Sequence, residues 1–265
     1  TLMDRAHPAT QQVTTEDGVD ISLDVYASRG HDQAVVICPG FFKSKETRTF
    51  QRLAQALCTD RDVIAMDFRG HGRSGGLYTF SAREDADLAA ILGWATARYP
   101  ALGIVGFSLG AAIAINTLRR DPDRVRSLIA VSAPSSFEQI EFQFWTWRAI
   151  RGGLRGLEPG AGCRPGSPFL KKVRPIDSVQ GLAAIPTLFI HATGDAIVGV
   201  RHSQRLFEVA NEPKRLETLQ SGSHAEALFR DDPVGFGRLV NTWFDRTLPR
   251  ATLPSGCVHG EPTGG

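Results

Sequence analysis

The stretch that most constrains the fold of this chain lies at residues 103–112. There an apolar run ends in the pentapeptide Gly-Phe-Ser-Leu-Gly at 106–110, and a helical pattern of small residues begins directly after it. A residue at the tip of such a tight turn lies in strained backbone, with chain packed closely on both sides. Gly106 and Gly110 have no Cβ and leave room for that approach. The stretch therefore predicts a strand–turn–helix unit that presents Ser108 as a nucleophile, which we favour over a chance match to a short loop pattern.

Size and charge restrict the classes of function that remain. The chain has 265 residues, of which 42% are hydrophobic and 22% charged, which is enough for one large α/β domain or two small ones. Its 30 Lys and Arg residues nearly balance its 28 Asp and Glu residues, and the net charge of +2 gives no general field to hold nucleic acid or an anionic membrane. Since no apolar run is long enough to span a bilayer, we expect a small-molecule partner, with no nucleic acid and no membrane span.

Cysteine usage bears on the compartment. The four cysteines form no C-x-x-C pair; they are Cys38, Cys58, Cys163 and Cys257. Buried free thiols in a reducing compartment are the simplest interpretation, which predicts a cytoplasmic protein, while a disulfide stays open. The N-terminal stretch lacks the basic, apolar and small-residue order of a signal peptide, but the chain begins at Thr1, so a removed leader also stays open.

Apolar runs and helical spacing alternate along most of the chain. Residues 11–16 and 19–26 alternate apolar and polar side chains around Asp17-Gly18, which predicts a two-stranded hairpin. Further strands are predicted at 34–38, 63–66, 101–105, 127–131, 187–190 and 215–219, and helices at 46–57, 83–98, 109–118, 200–210 and 234–248. Such units predict an α/β fold, with a mostly parallel sheet covered by helices on both faces. In sheets of this kind, ligands bind beyond the carboxyl ends of the strands.

The alternation is interrupted between residues 135 and 178. This segment is too short for a core of its own, so we expect one domain over residues 1–265 with a small insertion at about 135–178. Its aromatic residues recur at helical spacing and either pack on the sheet domain or line an acyl pocket. The candidate pocket residues are Phe42, Phe137, Phe144 and Trp147. The tail from residue 249 is rich in Pro, Gly, Ser and Thr, which predicts an irregular surface arm.

One histidine follows a strand at the expected edge of the sheet. A serine hydroxyl is a weak nucleophile until a base accepts its proton, and that base must be oriented by a third group. His224 lies in a loop just after the last predicted strand, from which its imidazole could reach Ser108. His71 is expected to border the site in a structural role, and His191 to pack at the end of a strand. His224 is therefore the candidate base.

The carboxylate that would orient His224 should follow the preceding strand. Asp195 does so, because the sequence Thr-Gly-Asp at 193–195 comes directly after the strand predicted at 187–190. A carboxylate there can accept a hydrogen bond from one imidazole nitrogen and stabilise the imidazolium. Asp177 is a competitor, but its surroundings resemble a helix start, where Asp serves as an N-cap. The predicted catalytic order is Ser108, Asp195 and His224.

An oxyanion formed at Ser108 needs two convergent N–H donors. The N–H of Leu109, at the start of the helix, is one candidate. The second should come from the loop after the strand predicted at 34–38, and Phe41 is our choice, with Gly40 allowing the turn.

Taken together, these motifs resemble the α/β-hydrolase fold family, and within it the small esterase and acylaminoacyl-peptidase-like serine hydrolases. The resemblance covers about residues 13–248 and rests on Pro39-Gly40-Phe41, the run Asp-Phe-Arg-Gly-His-Gly-Arg-Ser at 67–74, the pentapeptide at 106–110, Gly194-Asp195 and Ser223-His224. Many relatives carry His-Gly where this chain has Pro39-Gly40, so the contacts behind that backbone donor must differ. The resemblance implies a cap over the active site at 135–178. The complete set of catalytic roles in this order predicts hydrolysis of a carboxylic ester through an acyl-enzyme, and an apolar cap suggests short- to medium-chain or aromatic acyl groups.

Several other functions remain to be weighed against this one. The glycines at 70, 72 and 75 match a dinucleotide fingerprint by letter, but no helix begins there, and the sequence also lacks phosphate-loop and zinc motifs, so we expect no cofactor and no metal. The same catalytic residues would serve a thioesterase, an amidase or a carbon–carbon hydrolase. A hydrolase-fold receptor without turnover is a further alternative. A membrane- or partner-bound scaffold that docks through residues 142–147 has the least support.

Overall fold

Eight strands form one sheet in the part of the chain that the computed structural model describes, namely residues 8–27, 31–137, 159–182 and 184–248. They are β1 (Ala9–Thr14), β2 (Asp20–Tyr26), β3 (Gln33–Cys38), β4 (Asp62–Met66), β5 (Ala101–Phe107), β6 (Ser127–Val131), β7 (Thr187–Ala192) and β8 (Lys214–Leu219). Side by side they run β1-β2-β4-β3-β5-β6-β7-β8; the β1–β2 and β2–β4 pairs are antiparallel and the others parallel. The predicted α/β fold with a mostly parallel sheet is therefore confirmed.

The direction of strand addition reverses between β3 and β5. From β3 the chain crosses to β4 on one side, then returns past β3 to β5 and continues outward to β8. The β3–β5 pair extends from Gln33 opposite Ala101 to Cys38 opposite Gly106. The loops after these two strands therefore leave the sheet side by side, at the switch point where doubly wound sheets bind ligands.

Helices cover both faces of the sheet. They are α1 (Arg48–Leu57), α2 (Glu84–Thr96), α3 (Leu109–Leu118), α4 (Arg201–Val209), α5 (Ala227–Asp231) and α6 (Pro233–Thr247). Val36 of β3 belongs to the apolar core shared with α2 and α3, and its neighbour Val35 to the core shared with α1 and α6. A strand with both faces buried reads as an unbroken apolar run, which is why β3 lacks alternation. Within the described ranges, no helix combines the length and apolar character needed to cross a membrane.

The predicted elements are present, with ends shifted by a few residues. The hairpin is confirmed, with Thr14 opposite Asp20. Helix α5 is not among the predicted elements, because five residues with only Leu228 and Phe229 buried are too few to show a helical period. The candidate pocket residues Phe144 and Trp147, and the tail from 249, lie outside the described residues, so the insertion and the single domain stay predictions.

The described part of the insertion contacts the loop after β4. Between residues 159 and 178 the structure describes one short 3₁₀ helix, Pro175–Asp177, and otherwise irregular chain. Two isolated bridges join this segment to the β4 loop, one between Cys163 and His71 and the other between Pro165 and Tyr78. Cys163 is a half-buried free thiol, Cys38 is a buried free thiol, and Cys58 is buried with its Sγ 3.5 Å from Tyr26 O.

Two helical glycines give a matched test of the close approach between α3 and β3. A Cβ at Gly110 would lie 2.3 Å from Cys38 O and 2.4 Å from Pro39 O, whereas one at Gly237 in α6 would meet nothing within 4 Å. We expect Gly110→Ala to lower the free energy of unfolding by about 3 kcal/mol, because backbone rather than a flexible side chain must move. Gly237→Ala should raise it by about 0.5–1 kcal/mol, because Ala loses less conformational freedom in a helix. Urea denaturation of both variants checks this, and equal effects would contradict the proposed close approach.

Candidate active site

Ser108 lies at the tip of the turn between β5 and α3, in backbone that side-chain-bearing residues rarely adopt. Its φ is 51° and its ψ is −117°. Cβ atoms at Gly106 and Gly110 would lie 2.6 and 2.3 Å from backbone atoms, so only glycine fits on either side. The Ser108 N–H donates to Val131 O at 2.8 Å, which ties the turn to the end of β6. Strain of this kind costs about 1–3 kcal/mol and persists only where the surrounding structure fixes it.

The structure brings Ser108, His224 and Asp195 together in one hydrogen-bonded chain. His224 Nε2 lies 2.9 Å from Ser108 Oγ, and His224 Nδ1 lies 2.7 Å from Asp195 Oδ2. These residues follow the carboxyl ends of β5, β8 and β7, which explains how positions up to 116 apart in sequence meet. Asp195 is buried, whereas Ser108 and His224 are half-buried. The serine oxygen is therefore joined to a buried carboxylate through one imidazole and still reaches the surface.

The environment of Asp195 favours its charged form. Burial alone would raise the pKa of this carboxyl, but hydrogen bonds from His191, His224 and the backbone hold it well below its usual range. Asp195 Oδ1 accepts the N–H groups of Ile197 at 2.9 Å and Val198 at 3.1 Å, which leaves Oδ2 for His224. A carboxylate with both oxygens engaged in this way is fixed in orientation as well as in charge.

Buried His191 supports the loop that carries Asp195. Its Nε2 lies 2.7 Å from Val198 O and 3.4 Å from Asp195 Oδ2, so this nitrogen faces both the carbonyl and the carboxylate. Its Nδ1 lies 2.6 Å from Ser203 Oγ. Both ring nitrogens are therefore used inside the protein, and the prediction that His191 packs at a strand end agrees with its position.

The loop that carries His224 is held by the end of β6. The N–H of Ala225 donates to Ser132 Oγ at 3.1 Å, and the N–H of Ser132 donates to Ile190 O at 2.8 Å. Ala225 and Ser132 both have a positive φ, 52° and 49°. Sequence reasoning overlooks this serine, although its place directly after β6 at the same sheet edge could have suggested it.

The loop after β3 lies directly against Ser108. A Cβ at Gly40 would be 3.1 Å from Phe107 O and 3.4 Å from Ser108 Cβ. Phe41 follows Gly40 and is the first of several aromatic residues around this loop. On the other side of Ser108, Leu109 is the first residue of α3, and the N–H groups of a first helical turn have no acceptor within the helix. The two predicted oxyanion donors therefore belong to segments that both contact Ser108.

Aromatic side chains surround this loop, and most of them are absent from the predicted pocket. The ring of Phe41 stacks on Tyr78 at 5.5 Å, and lies 5.8 Å from Phe80 and 5.4 Å from Phe42. Of the four predicted pocket residues, Phe42 and Phe137 are half-buried. Tyr78 and Phe80 come from the long loop after β4, whose place at the same sheet edge is the signal that could have identified them.

The remaining candidates take other roles. Asp177 pairs with Arg174 at 2.8 Å on the surface, inside a short 3₁₀ helix, so its expected role as an N-cap is wrong. His202 is buried, with Nδ1 2.9 Å from Ser135 Oγ at the start of the insertion. His71 borders the loop after β3. Across the described ranges, no three or more His, Cys, Asp or Glu residues group in a way that could hold a metal ion.

Comparisons with known proteins agree with this architecture. A family model described as the alpha/beta hydrolase fold matches residues 33–156. The chain is 27% identical over 189 residues to the uncharacterized protein YfhR of Escherichia coli, covering 66% of this chain and 60% of that protein. It is 38% identical over 99 residues to the pimeloyl-[acyl-carrier protein] methyl ester esterase of Chromobacterium violaceum, covering 37% of this chain and 35% of that enzyme.

A solved structure extends the similarity over nearly the whole chain. The esterase RhEst1 from a Rhodococcus species superposes with a TM-score of 0.74 at 21% identity, covering 90% of this chain and 99% of that one. Similarity at this identity shows the fold alone. The chain spans about 60% of the length of its relative YfhR. The sheet order, the serine turn and these matches define one fold class, and the chain has the α/β-hydrolase fold.

The strained backbone at Ser108 predicts that, at this position, a residue without a Cβ gives a more stable protein than a residue with one. Ser108→Ala and Ser108→Gly both remove the hydroxyl and its contact with His224, but only glycine removes the Cβ. We expect the glycine variant to unfold at higher urea, with a free energy of unfolding about 1 kcal/mol above that of the alanine variant. A glycine variant no more stable than the alanine variant would show that this turn stores no strain.

Proposed function

We propose that this chain is a serine hydrolase that cleaves carboxylic esters through an acyl-enzyme intermediate. The observation that carries the proposal is the hydrogen-bonded chain from Ser108 Oγ through His224 to Asp195. Its members follow neighbouring strand ends, in the order Ser, Asp, His that the fold family uses.

Acylation would begin with attack of Ser108 Oγ on the ester carbonyl carbon. His224 Nε2, 2.9 Å away, accepts the hydroxyl proton as the bond forms. Asp195 accepts the Nδ1–H at 2.7 Å and stabilises the imidazolium. His224 then donates the proton to the departing alcohol, which leaves an acyl group on Ser108.

The N–H groups of Leu109 and Phe41 would stabilise the oxyanion. They are contributed by the start of α3 and by the loop after β3, which meet at Ser108. Donors fixed on a rigid frame need no reorganisation as charge develops, and the loss of one costs about 10²–10³ in rate. Deacylation repeats the steps with water, which His224 deprotonates, and releases the acid.

The aromatic surroundings of the site support an apolar acyl or alcohol group in the substrate. Phe41, Phe42 and Phe80 are half-buried and lie around the loop that contacts Ser108. Rings in such positions favour apolar groups over charged ones. That a relative of 38% identity acts on a methyl ester, and that the superposed structure is an esterase, is consistent with this class of substrate.

Ser108→Ala tests the nucleophile. We expect hydrolysis of p-nitrophenyl butyrate to fall to background and labelling by a fluorophosphonate to disappear, because no other group can accept the acyl or phosphonyl group at this position. Ser167→Ala is the matched control, since Ser167 lies on the exposed surface of the insertion. Hydrolysis that survives Ser108→Ala would contradict the proposal, and a folded wild-type protein that resists labelling would favour the receptor.

Asp195→Asn tests the carboxylate against the alternative that the sequence offers. We expect kcat to fall by about 10⁴-fold, because the amide no longer holds His224 in the reactive tautomer. Asp177→Asn should retain wild-type kcat, since Asp177 pairs with Arg174 on the surface. Stopped-flow or steady-state rates on the same ester check both, and equal losses would contradict the assignment.

A substrate panel separates the activities that share this chemistry. We expect p-nitrophenyl esters to be cleaved faster than matched thioesters and aminoacyl anilides, because the proposed substrate class is a carboxylic ester and because an anilide's amine, unlike p-nitrophenolate, must be protonated by His224 as it leaves. Equal chain lengths in all three series keep binding comparable. A higher kcat/KM for thioesters or anilides would replace the esterase assignment by that activity.

A further inference from the structure

Phe42, in the loop that contacts Ser108, has a backbone conformation that favours glycine. Its φ is 68°, and the turn is closed by the Lys43 N–H donating to Gly40 O at 3.3 Å. A positive φ at the third residue of a four-residue turn is the geometry of a type II turn, where glycine is preferred. A phenylalanine there is strained, so contacts from outside the turn must hold it.

Both backbone groups of Phe42 are bonded to residues outside the turn. Its N–H donates to His71 Nε2 at 3.2 Å, and its carbonyl accepts the N–H of Gly162 at 3.0 Å. These two hydrogen bonds fix the peptide planes on either side of the strained residue. His71 contributes the side-chain acceptor, and Gly162, in the described part of the insertion, contributes the backbone donor.

The hydrogen-bond network assigns the protonation of His71. Since Nε2 accepts from Phe42, the ring proton must be on Nδ1, which donates to Arg69 O at 3.2 Å. The ring is buried and lies edge-on to Tyr78, with centroids 4.5 Å apart. Burial, together with the charge of Arg164, lowers the pKa of His71 to about 4, so the neutral acceptor form is the one present near neutral pH. Protonation would place a second N–H against the N–H of Phe42.

The path from His71 to the reacting atoms is short. His71 holds Phe42, Phe41 adjoins Phe42, and Gly40 lies against Ser108 Cβ. The Phe41 N–H, the proposed second oxyanion donor, therefore lies between two fixed points. We infer that neutral His71 is a positioning residue, which orients the oxyanion loop by accepting the N–H of Phe42 in its Nδ1–H tautomer. This inference rests on the proposed function, because it gives that loop its catalytic role.

A purely structural role for His71 makes a different prediction. A buried histidine that only fills space between Tyr78 and Arg69 could be replaced by any side chain of similar size, with a change in stability and none in the chemical step. A positioning role instead requires an acceptor atom at the location of Nε2, since the hydrogen bond and not the ring fixes Phe42.

His71→Gln and His71→Met separate these roles. The two side chains are similar in length, but only glutamine presents an oxygen near the position of Nε2. For p-nitrophenyl butyrate we expect His71→Met to lower kcat by about 10–100-fold with KM little changed, since the loss would be in transition-state stabilisation. His71→Gln should restore most of that loss. Equal kcat values for the two variants, at comparable thermal stability, would overturn the inference.

A spectroscopic readout keeps the test independent of turnover. In ¹⁵N-labelled wild-type protein at pH 7, the His71 ring should show a protonated Nδ1 and an unprotonated Nε2, and the Phe42 amide should exchange slowly with solvent. His71→Met should speed exchange at Phe42 and His71→Gln should not. An Nε2–H tautomer, or exchange at Phe42 that both variants leave unchanged, would overturn the inference even if the protein cleaves no ester. Loss of hydrolysis in Ser108→Ala with no difference between the His71 variants would preserve the proposed function and reject the inference alone.

Discussion

The close backbone approach of α3 to the end of β3 is the constraint on which the rest of the site depends. At Gly110, the carbonyls of Cys38 and Pro39 are so near that a single methyl group has no space. This contact brings the loop after β3 against Ser108 and holds the serine turn at a φ of 51°. The parallel β3–β5 pair sets the spacing, since both loops leave the sheet at neighbouring positions. A looser helix start would separate the Ser108 hydroxyl from the loop that is proposed to stabilise the oxyanion.

Near this contact, both oxygens of the buried Asp195 carboxylate accept hydrogen bonds from within the protein. Asp195 accepts two backbone N–H groups on one oxygen and the His224 ring on the other, and His191 contacts the same loop through Nε2 and Ser203 of α4 through Nδ1. A buried carboxylate oxygen that accepts no hydrogen bond would destabilise the folded protein. The hydrogen bonds to both oxygens therefore allow a charged carboxylate to be buried beneath the site. In the first proposed step, one proton then moves, from Ser108 to His224.

Much of this could be predicted from the sequence, for reasons that particular elements show. Apolar runs such as 101–107 indicate buried strands, and the glycines around Ser108 indicate close backbone contact. Because each signal lies within a short stretch of sequence, the sheet, the serine turn and the strand-end positions of Asp195 and His224 could be predicted from the pattern. Contacts that depend on tertiary placement do not. Ser132 follows β6, whereas Tyr78 and Phe80 lie in the loop after β4, and no local period connects these residues to the site. The acceptor role of His71 depends on the strained conformation of Phe42, which its residue type gives no reason to expect.

The hydrogen bond from Gly162 to Phe42 has a consequence for how such proteins can diverge. In an α/β-hydrolase fold, an insertion after β6 could be treated as an independent segment and exchanged between relatives to alter substrate selectivity. Here the segment at 159–166 forms backbone hydrogen bonds with Phe42, Gly70 and Tyr78, so its conformation depends on the loops after two strands, β3 and β4. A chimera that exchanges the insertion without loops 39–43 and 68–80 would lose these hydrogen bonds. We expect such an exchange to be tolerated only when all three segments come from the same protein.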